Sequence, residues 1–355
     1  MVRVAIIGLG AVTRDIHLPA YAHLAGRARV VAGCDIDPEA RARAGREGRV
    51  PEVYADPAEM IERTGPDVVA ICTPPACHRE QVLLALARGR HVFCEKPLAE
   101  DLAQADEIVR AAEEARRLVV VNNQFPYMRI HRAAREMIGE PEFGRLLYLH
   151  AWQTVRPAVG GESGWRGRLK RRLTFEFGVH VFELIRFFFG ENPARLLAHM
   201  PRPQAGGADA VSLIALEFAD GRAASILLDR LSHAPQRYLE MRLDGERATV
   251  HTSLGGEVRF EVGLHTTERR PFVNLNFVKG GKAVWLRNGR SRVLAKEGIN
   301  PLAAATATHF DNFVTAIERG TTPPGTARDN RQTLALALAA YEAAESGRAV
   351  EIARG

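Results

Sequence analysis

The chain has 355 residues and a formal net charge of +6 at pH 7, and it is 46% hydrophobic and 25% charged. This length favours two domains, and the composition fits a soluble globular protein. No run of about 18 apolar residues occurs, so we expect no membrane-spanning helix. The positive charge favours an anionic partner, but no basic–aromatic array typical of nucleic-acid binding is present, and we expect no nucleic-acid partner.

The first residues, MVRVAIIGLG, form a strand-like run without the anatomy of a signal peptide, which predicts a cytoplasmic protein. The four cysteines lie in or beside apolar runs, at spacings that fit no metal or redox motif. They are Cys34, Cys72, Cys77 and Cys94. We expect reduced and mostly buried thiols.

Up to residue 121, valine- and isoleucine-rich runs alternate with helical patterns. The predicted strands are 2–8, 28–35, 66–73, 91–96 and 117–123, and the clearest helices are 78–89 and 102–116. Such runs are typical of strands buried on both faces, and the alternation predicts a doubly wound parallel sheet.

The first predicted strand runs into Gly8-Leu9-Gly10-Ala11-Val12-Thr13. A GxGxx(G/A) turn lets a pyrophosphate approach bare backbone at a helix N-terminus, where amide donors favour negative charge. Asp35 ends the second strand, where a carboxylate accepts the ribose hydroxyls and repels a 2′-phosphate. The nearest arginines, Arg41 and Arg43, come late for binding that phosphate, so the pattern favours NAD over NADP.

Two further loops follow predicted strands, at the edge where open sheets bind ligands. One contains Thr73, Pro74 and His78, and the other contains Glu95-Lys96-Pro97. Pro97 disfavours helix at Lys96 and places it in an extended or turn geometry. Taken alone, Lys96 is also explained as a solvated surface charge, and His78 as a capping or surface residue.

After about residue 122 the pattern becomes antiparallel. Strands are predicted at 146–155 and 209–218, and the dipeptides Asp220-Gly221, Asp244-Gly245 and Asn288-Gly289 predict hairpins because they supply positive φ at low cost. We infer an α+β domain built on a large, mainly antiparallel open sheet. Residues 326–347 have a strong helical pattern that should pack near the first domain.

The stretch FEFGVHVFELI places Glu176, His180 and Glu183 on one face of a predicted helix. A carboxylate-bridged metal site would need a matching helix, and no second acidic–histidine helix is apparent in the sequence. We therefore predict no metal. Two alternatives stay open: a hydrogen-bonded core histidine, or an acid/base group.

A basic segment, GESGWRGRLKRRL, precedes this helix. The simpler and favoured explanation of this segment is a solvated loop. The alternative is that Arg166 or Arg168 meets an acidic substrate such as a uronic acid or a sugar nucleotide, and that Trp165 stacks on a sugar ring.

The segments AIIGLGAVTRDIHLPAY, CTPPACHREQVLLALARGRHVFCEKPLA and FEFGVHVFELIRFFFG resemble the glucose-fructose oxidoreductase / inositol dehydrogenase / MocA (Gfo/Idh/MocA) family over nearly the whole chain. The resemblance implies that Lys96 lies between nicotinamide and substrate, with a cis bond to Pro97. The cofactor residues implied by the turn and the resemblance together are Gly8, Gly10, Ala11, Val12, Asp35, Thr73, Pro74, His78, Glu95, Lys96 and Asn123. The resemblance also implies dimers or tetramers formed through the sheet of the second domain.

Two departures from the family pattern bear on the substrate. Family members carry DxGxHxxD where this chain has glutamate at 176 and 183, and an arginine common near Pro126 is missing or replaced, with Arg129 as a candidate. The role of His180 is therefore more secure than that of Glu176.

These observations predict a Rossmann domain (1–122), a substrate and oligomerisation domain (123–325) and a C-terminal segment (326–355). The expected activity is NAD-dependent hydride transfer with a carbinol of a sugar, polyol or acidic derivative. The expected catalytic residues are Lys96, His180 and Glu176, and the expected substrate contacts are Lys96, Trp165, Arg166, Glu176 and His180. Histidine, with a pKa near 6.5, suits acid/base work at neutral pH better than lysine does. The alternatives are a glycoside hydrolase that uses NAD transiently and a dinucleotide-binding regulator.

Overall fold

The computed structural model describes residues 1–155, 165–202, 207–232, 238–255 and 280–353, and the strands 259–264 and 271–276. The chain forms two compact units. One consists of 1–127 and 302–338, and the other of 128–301 and 339–355. Residues 302–325 thus lie in the first unit, although the sequence analysis assigns them to the second domain.

The first unit contains a six-stranded parallel sheet. Its strands are β1 (Val2–Ile7), β2 (Ala28–Cys34), β3 (Glu52–Tyr54), β4 (Val68–Ile71), β5 (His91–Cys94) and β6 (Val119–Val121), in the order β3-β2-β1-β4-β5-β6. This order confirms the predicted doubly wound sheet. The sequence did not predict β3, because this strand is three residues long and largely exposed and so lacks the apolar run that marks the other strands.

Short helices connect these strands. They are α1 (Leu18–His23), α2 (Pro38–Arg46), α3 (Pro57–Thr64), α4 (His78–Ala87) and α5 (Leu102–Ala115). A π-helical turn, Thr13–His17, precedes α1. Asp37, Asp56 and Asp101 accept hydrogen bonds from backbone amides at the starts of α2, α3 and α5, which satisfies donors that the helices leave unpaired.

The second unit is built on a nine-stranded sheet. Its chain-order elements are α6 (Arg129–Met137), β7 (Leu146–Thr154), α7 (Val179–Phe189), β8 (Arg195–His199), β9 (Val211–Glu217), β10 (Ala223–Asp229), β11 (Leu239–Gly245), β12 (Thr249–Leu254), β13 (Arg259–Leu264), β14 (Pro271–Asn276), β15 (Gly281–Arg287), β16 (Arg290–Glu297) and later β17 (Val350–Glu351). The order is β16-β15-β12-β11-β7-β10-β9-β8-β17, with only the β7–β10 pair parallel among its described pairings, and β13 and β14 pair separately. The predicted open, mainly antiparallel sheet is confirmed.

Two of the three predicted turns have the expected backbone. Gly221 joins β9 to β10 with positive φ, and Asn288 and Gly289 both have positive φ between β15 and β16. The third hairpin also forms, because β11 and β12 pair antiparallel, but Gly245 is the last residue of β11 and lacks the expected positive φ. A Cβ there would lie 2.6 Å from the Phe143 carbonyl oxygen, so close packing, not the turn, requires glycine.

Two long helices follow the sheet strands, α8 (Pro301–Arg319) and α9 (Ala327–Ser346). Phe310, Phe313 and Val314 of α8 join the hydrophobic core of the first unit. Among the described residues, no helix is both long and apolar enough to cross a membrane. The four cysteines are free thiols, and all but the half-buried Cys77 are buried.

Candidate active site

The glycine turn after β1 has the backbone that a dinucleotide site needs. Gly8 has a φ of +93°, and a Cβ there would lie 2.8 Å from the carbonyl oxygen of Cys72. Thr13, in place of the third small residue, donates its hydroxyl to the Gly8 carbonyl at 2.6 Å and so fixes the turn. Gly10 and Ala11 are exposed where the helix begins. Their position fits an anion such as a pyrophosphate.

Asp35, at the end of β2, is tied to this turn. Its Oδ2 accepts the Leu9 amide at 2.7 Å and its Oδ1 accepts the Asp37 amide at 2.9 Å. Arg41 donates to the backbone carbonyl of Asp35, and Arg43 donates to that of Leu9. Both guanidinium groups therefore lie closer to the turn than their positions in the sequence indicate. The turn therefore carries a carboxylate where a ribose would lie, which fits NAD.

His78 connects two of the predicted cofactor loops and is not at the surface. Its ring is fully buried, with Nδ1 2.8 Å from the Pro97 carbonyl oxygen and Nε2 2.8 Å from the Thr73 carbonyl oxygen. Burial lowers the pKa of His78, and a neutral ring donates to one carbonyl at a time. Pro74 is extended, and Thr73 donates to Gln81 at 2.6 Å.

Lys96 is half-buried in a bend after β5, and its bond to Pro97 is cis, as expected. The preceding carboxylate, Glu95, is buried and accepts hydrogen bonds at Oε1 from His17 Nε2 at 2.7 Å and Asn122 Nδ2 at 2.8 Å. The Lys96 amide lies 3.4 Å from Glu95 Oε2. Glu95 therefore has three hydrogen-bonding partners from its own unit beneath the loop of Lys96.

The pKa values of Glu95 and His17 move in opposite directions. Burial alone would raise the pKa of Glu95, but the hydrogen bond and charge of His17, with Lys96 and Asn122, lower it. Burial opposes the charge of His17, but Cys72, Tyr21 and Glu95 outweigh burial and raise its pKa well above the usual value. Both shifts favour a charged His17 ring beside a charged Glu95 carboxylate, with 2.7 Å between Nε2 and Oε1.

Asn123 is buried and donates to Asn330 Oδ1 at 2.6 Å. Its neighbour Asn122 bonds Glu95 and also Thr306, at 3.2 Å. Cofactor binding by Asn123 stays a prediction, and Asn122 is the residue that contacts the lysine loop.

In the second unit, the stretch with Glu176 and His180 is π-helical over Leu173–Gly178 before it continues as α7. π-helical turns are rare and often occur at functional sites. The buried carboxylate of Asp209 holds this start: its oxygens accept the amides of Arg172 at 2.6 Å and Thr174 at 2.9 Å. Tyr341 also donates to Asp209, at 2.8 Å.

Of the predicted substrate residues of this unit, Trp165, Arg166 and Glu176 contact one another. Glu176 is buried, and its Oε1 accepts Arg166 Nε at 2.5 Å, while the Arg166 guanidinium lies 4.5 Å from the centre of the Trp165 ring. His180 is buried in the first turn of α7. Glu183 instead pairs with Arg186 at 3.3 Å.

Arg166 and Arg168 form an exposed 3-10 turn, and residues 161–164 of the basic segment lie outside the described residues. Arg129 is exposed at the start of α6. In the described ranges, no group of three or more histidine, cysteine, aspartate or glutamate side chains is arranged to hold a metal ion.

Sequence reasoning missed His17, Asn122 and Asp209. His17 and Glu95 are 78 positions apart, and Asp209 and Arg172 are 37 apart, so no local pattern links them. The one available signal is chemical: a histidine, an asparagine and a glutamate inside apolar segments each need a buried partner.

Comparisons with known proteins agree with this architecture. Residues 2–123 match an oxidoreductase family with an NAD-binding Rossmann fold, and residues 131–251 match the GFO/IDH/MocA C-terminal domain. The chain is 29% identical to D-apiose dehydrogenase of Paraburkholderia graminis, over 98% of this chain and 89% of that enzyme. It is 34% identical to inositol 2-dehydrogenase of Ralstonia nicotianae, over 56% of this chain and 58% of that enzyme.

The fold also matches solved structures. The crystal structure of an oxidoreductase from Agrobacterium radiobacter, in complex with NAD+, L-tartaric acid and magnesium, superposes with a TM-score of 0.83. The match covers 99% of this chain and 98% of that one at 21% identity, a level at which the likeness concerns the fold.

Proposed function

The chain belongs to the Gfo/Idh/MocA oxidoreductase family and is an NAD-dependent oxidoreductase of sugar-type CH–OH groups, and on this premise we propose roles for its individual residues. NAD, when bound, accepts or supplies the hydride. The two relatives named above are both dehydrogenases, and neither is a glycoside hydrolase or a regulator. The observation that carries the proposal is the Lys96 loop, fixed by a buried carboxylate in the same unit as the glycine turn.

On the cofactor side, we assign the pyrophosphate to the backbone amides of Gly10, Ala11 and Val12, of which the first two residues are exposed. Asp35 would accept the ribose hydroxyls, because its carboxylate already lies against the amide of Leu9. A 2′-phosphate would meet that negative charge, which supports NAD over NADP.

For the chemical step, we propose that His180 exchanges the proton of the substrate hydroxyl and that Lys96 polarises the substrate oxygen. A histidine with a pKa near 6.5 exchanges protons at neutral pH, whereas an ordinary lysine stays charged. Glu176 would orient the substrate, and its own position is held by the hydrogen bond that its Oε1 accepts from Arg166 Nε.

For the substrate, we propose a polyhydroxylated molecule that can carry an acidic group. Arg168 is exposed, so it is available to a negative charge, whereas Arg166 already pairs with Glu176 and lies over the Trp165 ring. Charge reversal at Arg168 should raise KM for acidic sugars and leave KM for neutral polyols unchanged.

We also propose a homodimer or homotetramer formed through the sheet of the second unit. Leu213, Leu227 and Trp152 are register neighbours on β9, β10 and β7 and form an apolar stripe on the outer face. Leu197 and Leu213 are 47% and 46% exposed. A stripe of this kind is typical of an interface between subunits.

The activity is tested by NADH formation on a panel of inositols, aldoses, apiose and their acids, with NADP in parallel. We expect turnover with NAD on at least one polyol or sugar. Failure across the panel in both directions, with NADH binding intact, would contradict the proposed activity.

A further inference from the structure

The first unit contains a buried row of polar side chains to which the proposed reaction assigns no proton or hydride transfer. Tyr21, His17, Glu95, Asn122 and Thr306 follow one another at 3.2, 2.7, 2.8 and 3.2 Å. All are buried, and the row passes directly under the backbone of Lys96. Burying charged groups is costly unless they are paired, so an ion pair here requires a reason.

We propose that His17 is a positioning residue for Lys96: its ring holds the Glu95 carboxylate, so that this carboxylate fixes the lysine loop, and its positive charge offsets the effect of the carboxylate on the Lys96 ammonium, the group assigned to polarise the substrate oxygen. The proposal rests on the role assigned to Lys96 above. His17 does not touch the reacting atoms, and it acts through Glu95.

The geometry supports the holding role. The carboxylate accepts at Oε1 from both His17 and Asn122, and its Oε2 faces the Lys96 amide. The ring of His17 is itself fixed, because Nδ1 lies 3.2 Å from the hydroxyl of Tyr21 and the ring packs edge-on against Phe93. The rotamer of Glu95 is therefore set from the far side of the loop.

The charges support the balancing role. The charge of Lys96 lies near enough to Glu95 to lower the pKa of its carboxyl, and by reciprocity the carboxylate favours the protonated lysine. The His17 imidazolium opposes that effect with a positive charge at 2.7 Å. The titratable groups that act on Glu95 or His17 are Tyr21, Cys72, His78, Cys94, Lys96 and His309.

Removing one member of the pair should therefore differ from removing both. In His17→Gln the carboxylate loses its counter-charge and stabilises the Lys96 ammonium. In Glu95→Gln, and in the double variant His17→Gln/Glu95→Gln, no carboxylate remains beside the lysine. If His17 and Glu95 had only a structural role, all three variants would lower stability without changing the titration midpoint of Lys96.

The lysine content makes this measurable, since the chain has five lysines, Lys96, Lys170, Lys279, Lys282 and Lys296. Reductive methylation of the full-length protein with ¹³C-formaldehyde places an NMR probe on each, and loss of one signal in Lys96→Gln identifies Lys96. We expect its titration midpoint to rise by about one to two pH units in His17→Gln. The midpoint should stay at the wild-type value in Glu95→Gln and in the double variant.

An unchanged midpoint in His17→Gln, or an equal rise in the double variant, would overturn the proposal. A second measurement needs no variant to fold: with ¹³C-labelled histidine, the wild-type His17 ring must be an imidazolium at neutral pH, and a neutral ring there also overturns it. Neither readout requires turnover, so a shifted Lys96 in a protein without activity would reject the proposed function alone.

Discussion

Lys96 carries the most specific prediction at the scale of single residues. Replacement by methionine keeps most of the apolar stem and removes the amine, so Lys96→Met should lower kcat by about two to four orders of magnitude. NADH affinity should stay within a few-fold of wild type, because the pyrophosphate and ribose are held elsewhere. Stopped-flow turnover and NADH fluorescence titration measure the two quantities.

Lys282→Met is the matched control, because Lys282 is exposed on β15 in the other unit. It should retain wild-type kcat. Unchanged turnover in Lys96→Met would reject the assigned role.

Asp35 determines cofactor preference through its charge. In Asp35→Asn the one side-chain oxygen can still accept the Leu9 amide, so the glycine turn keeps this bond, while the bond from the Asp37 amide and the negative charge are lost. A hydrogen bond to a charged group contributes about 1.5–3 kcal/mol, so NADH should bind roughly tenfold or more weakly, and the gap between NADH and NADPH should narrow. Fluorescence titration with both cofactors measures this, with Asp56→Asn as the control; an unchanged ratio would argue against Asp35.

Single residues differ in how far the sequence predicts them. Gly8, Asp35 and Lys96 are found because each sits at a strand end, where function follows from local pattern. His17 and Asn122 look like ordinary residues of a helix and a strand. Their role depends on Glu95, which the chain brings to them only after folding.

At the scale of elements, the start of α7 depends on Asp209. Its carboxylate accepts the amides of Arg172 and Thr174 and the hydroxyl of Tyr341 while fully buried. Asp209→Ala leaves these donors unsatisfied and should lower the free energy of unfolding by about 3 kcal/mol or more. Urea unfolding measures the loss. Because Glu176 lies in the same π-helical turn, KM should rise as well.

The graded control is Tyr341→Phe, which keeps the ring and removes the hydroxyl that donates to Asp209 and accepts the Phe175 amide. Because Asp209 still accepts the amides of Arg172 and Thr174, this variant should cost about 1–2 kcal/mol and raise KM less than Asp209→Ala does. An Asp209→Ala variant as stable as Tyr341→Phe would mean that the carboxylate does not organise this turn.

Elements with strong periodicity are predictable, and the exceptions have physical causes. The predicted strands of both sheets form, whereas β3 is too short and exposed to leave a pattern. Gly245 was given a turn role because Asp-Gly favours positive φ, but tertiary packing against Phe143 accounts for this glycine. The π-helical turn at Leu173–Gly178 has the same apolar spacing as an α-helix and cannot be distinguished from one by sequence.

At the scale of the whole molecule, stability should fall in acid because of His309. This ring is buried in α8, stacked on Tyr127 at 4.1 Å, and burial lowers its pKa to about 3. The unfolded chain, with a pKa near 6.5, takes up the proton first, so stability decreases as pH falls from about 6.5 towards 3. The slope from this one residue reaches about 1.4 kcal/mol per pH unit.

His309→Phe keeps a ring for the stack and removes the titration. Its free energy of unfolding should therefore depend less on pH than that of wild type between about pH 6 and 4. Urea unfolding across this range measures the difference, with the exposed His23→Gln as control. Parallel curves for wild type and His309→Phe would show that another group causes the acid sensitivity.

Assembly is the last property of the whole molecule that the structure lets us predict. The strands β8 and β9 bury alternate residues and leave Leu197 and Leu213 facing outward, in an open sheet whose outer stripe continues through Leu227. Covering that stripe stabilises an oligomer by roughly 25 cal/mol per Å² of apolar surface, and a charge placed in it must be desolvated. Leu213→Glu should therefore dissociate the oligomer at micromolar concentration, as measured by sedimentation velocity.

The control is Ile299→Glu, which adds the same charge at an exposed site before α8 and outside the sheet. It should sediment like wild type. If the wild-type chain is already a monomer, or if both variants dissociate equally, the sheet is not the interface. Retained turnover in a monomeric Leu213→Glu would further indicate that each subunit holds a complete site, because the stripe contributes none of the residues assigned to catalysis.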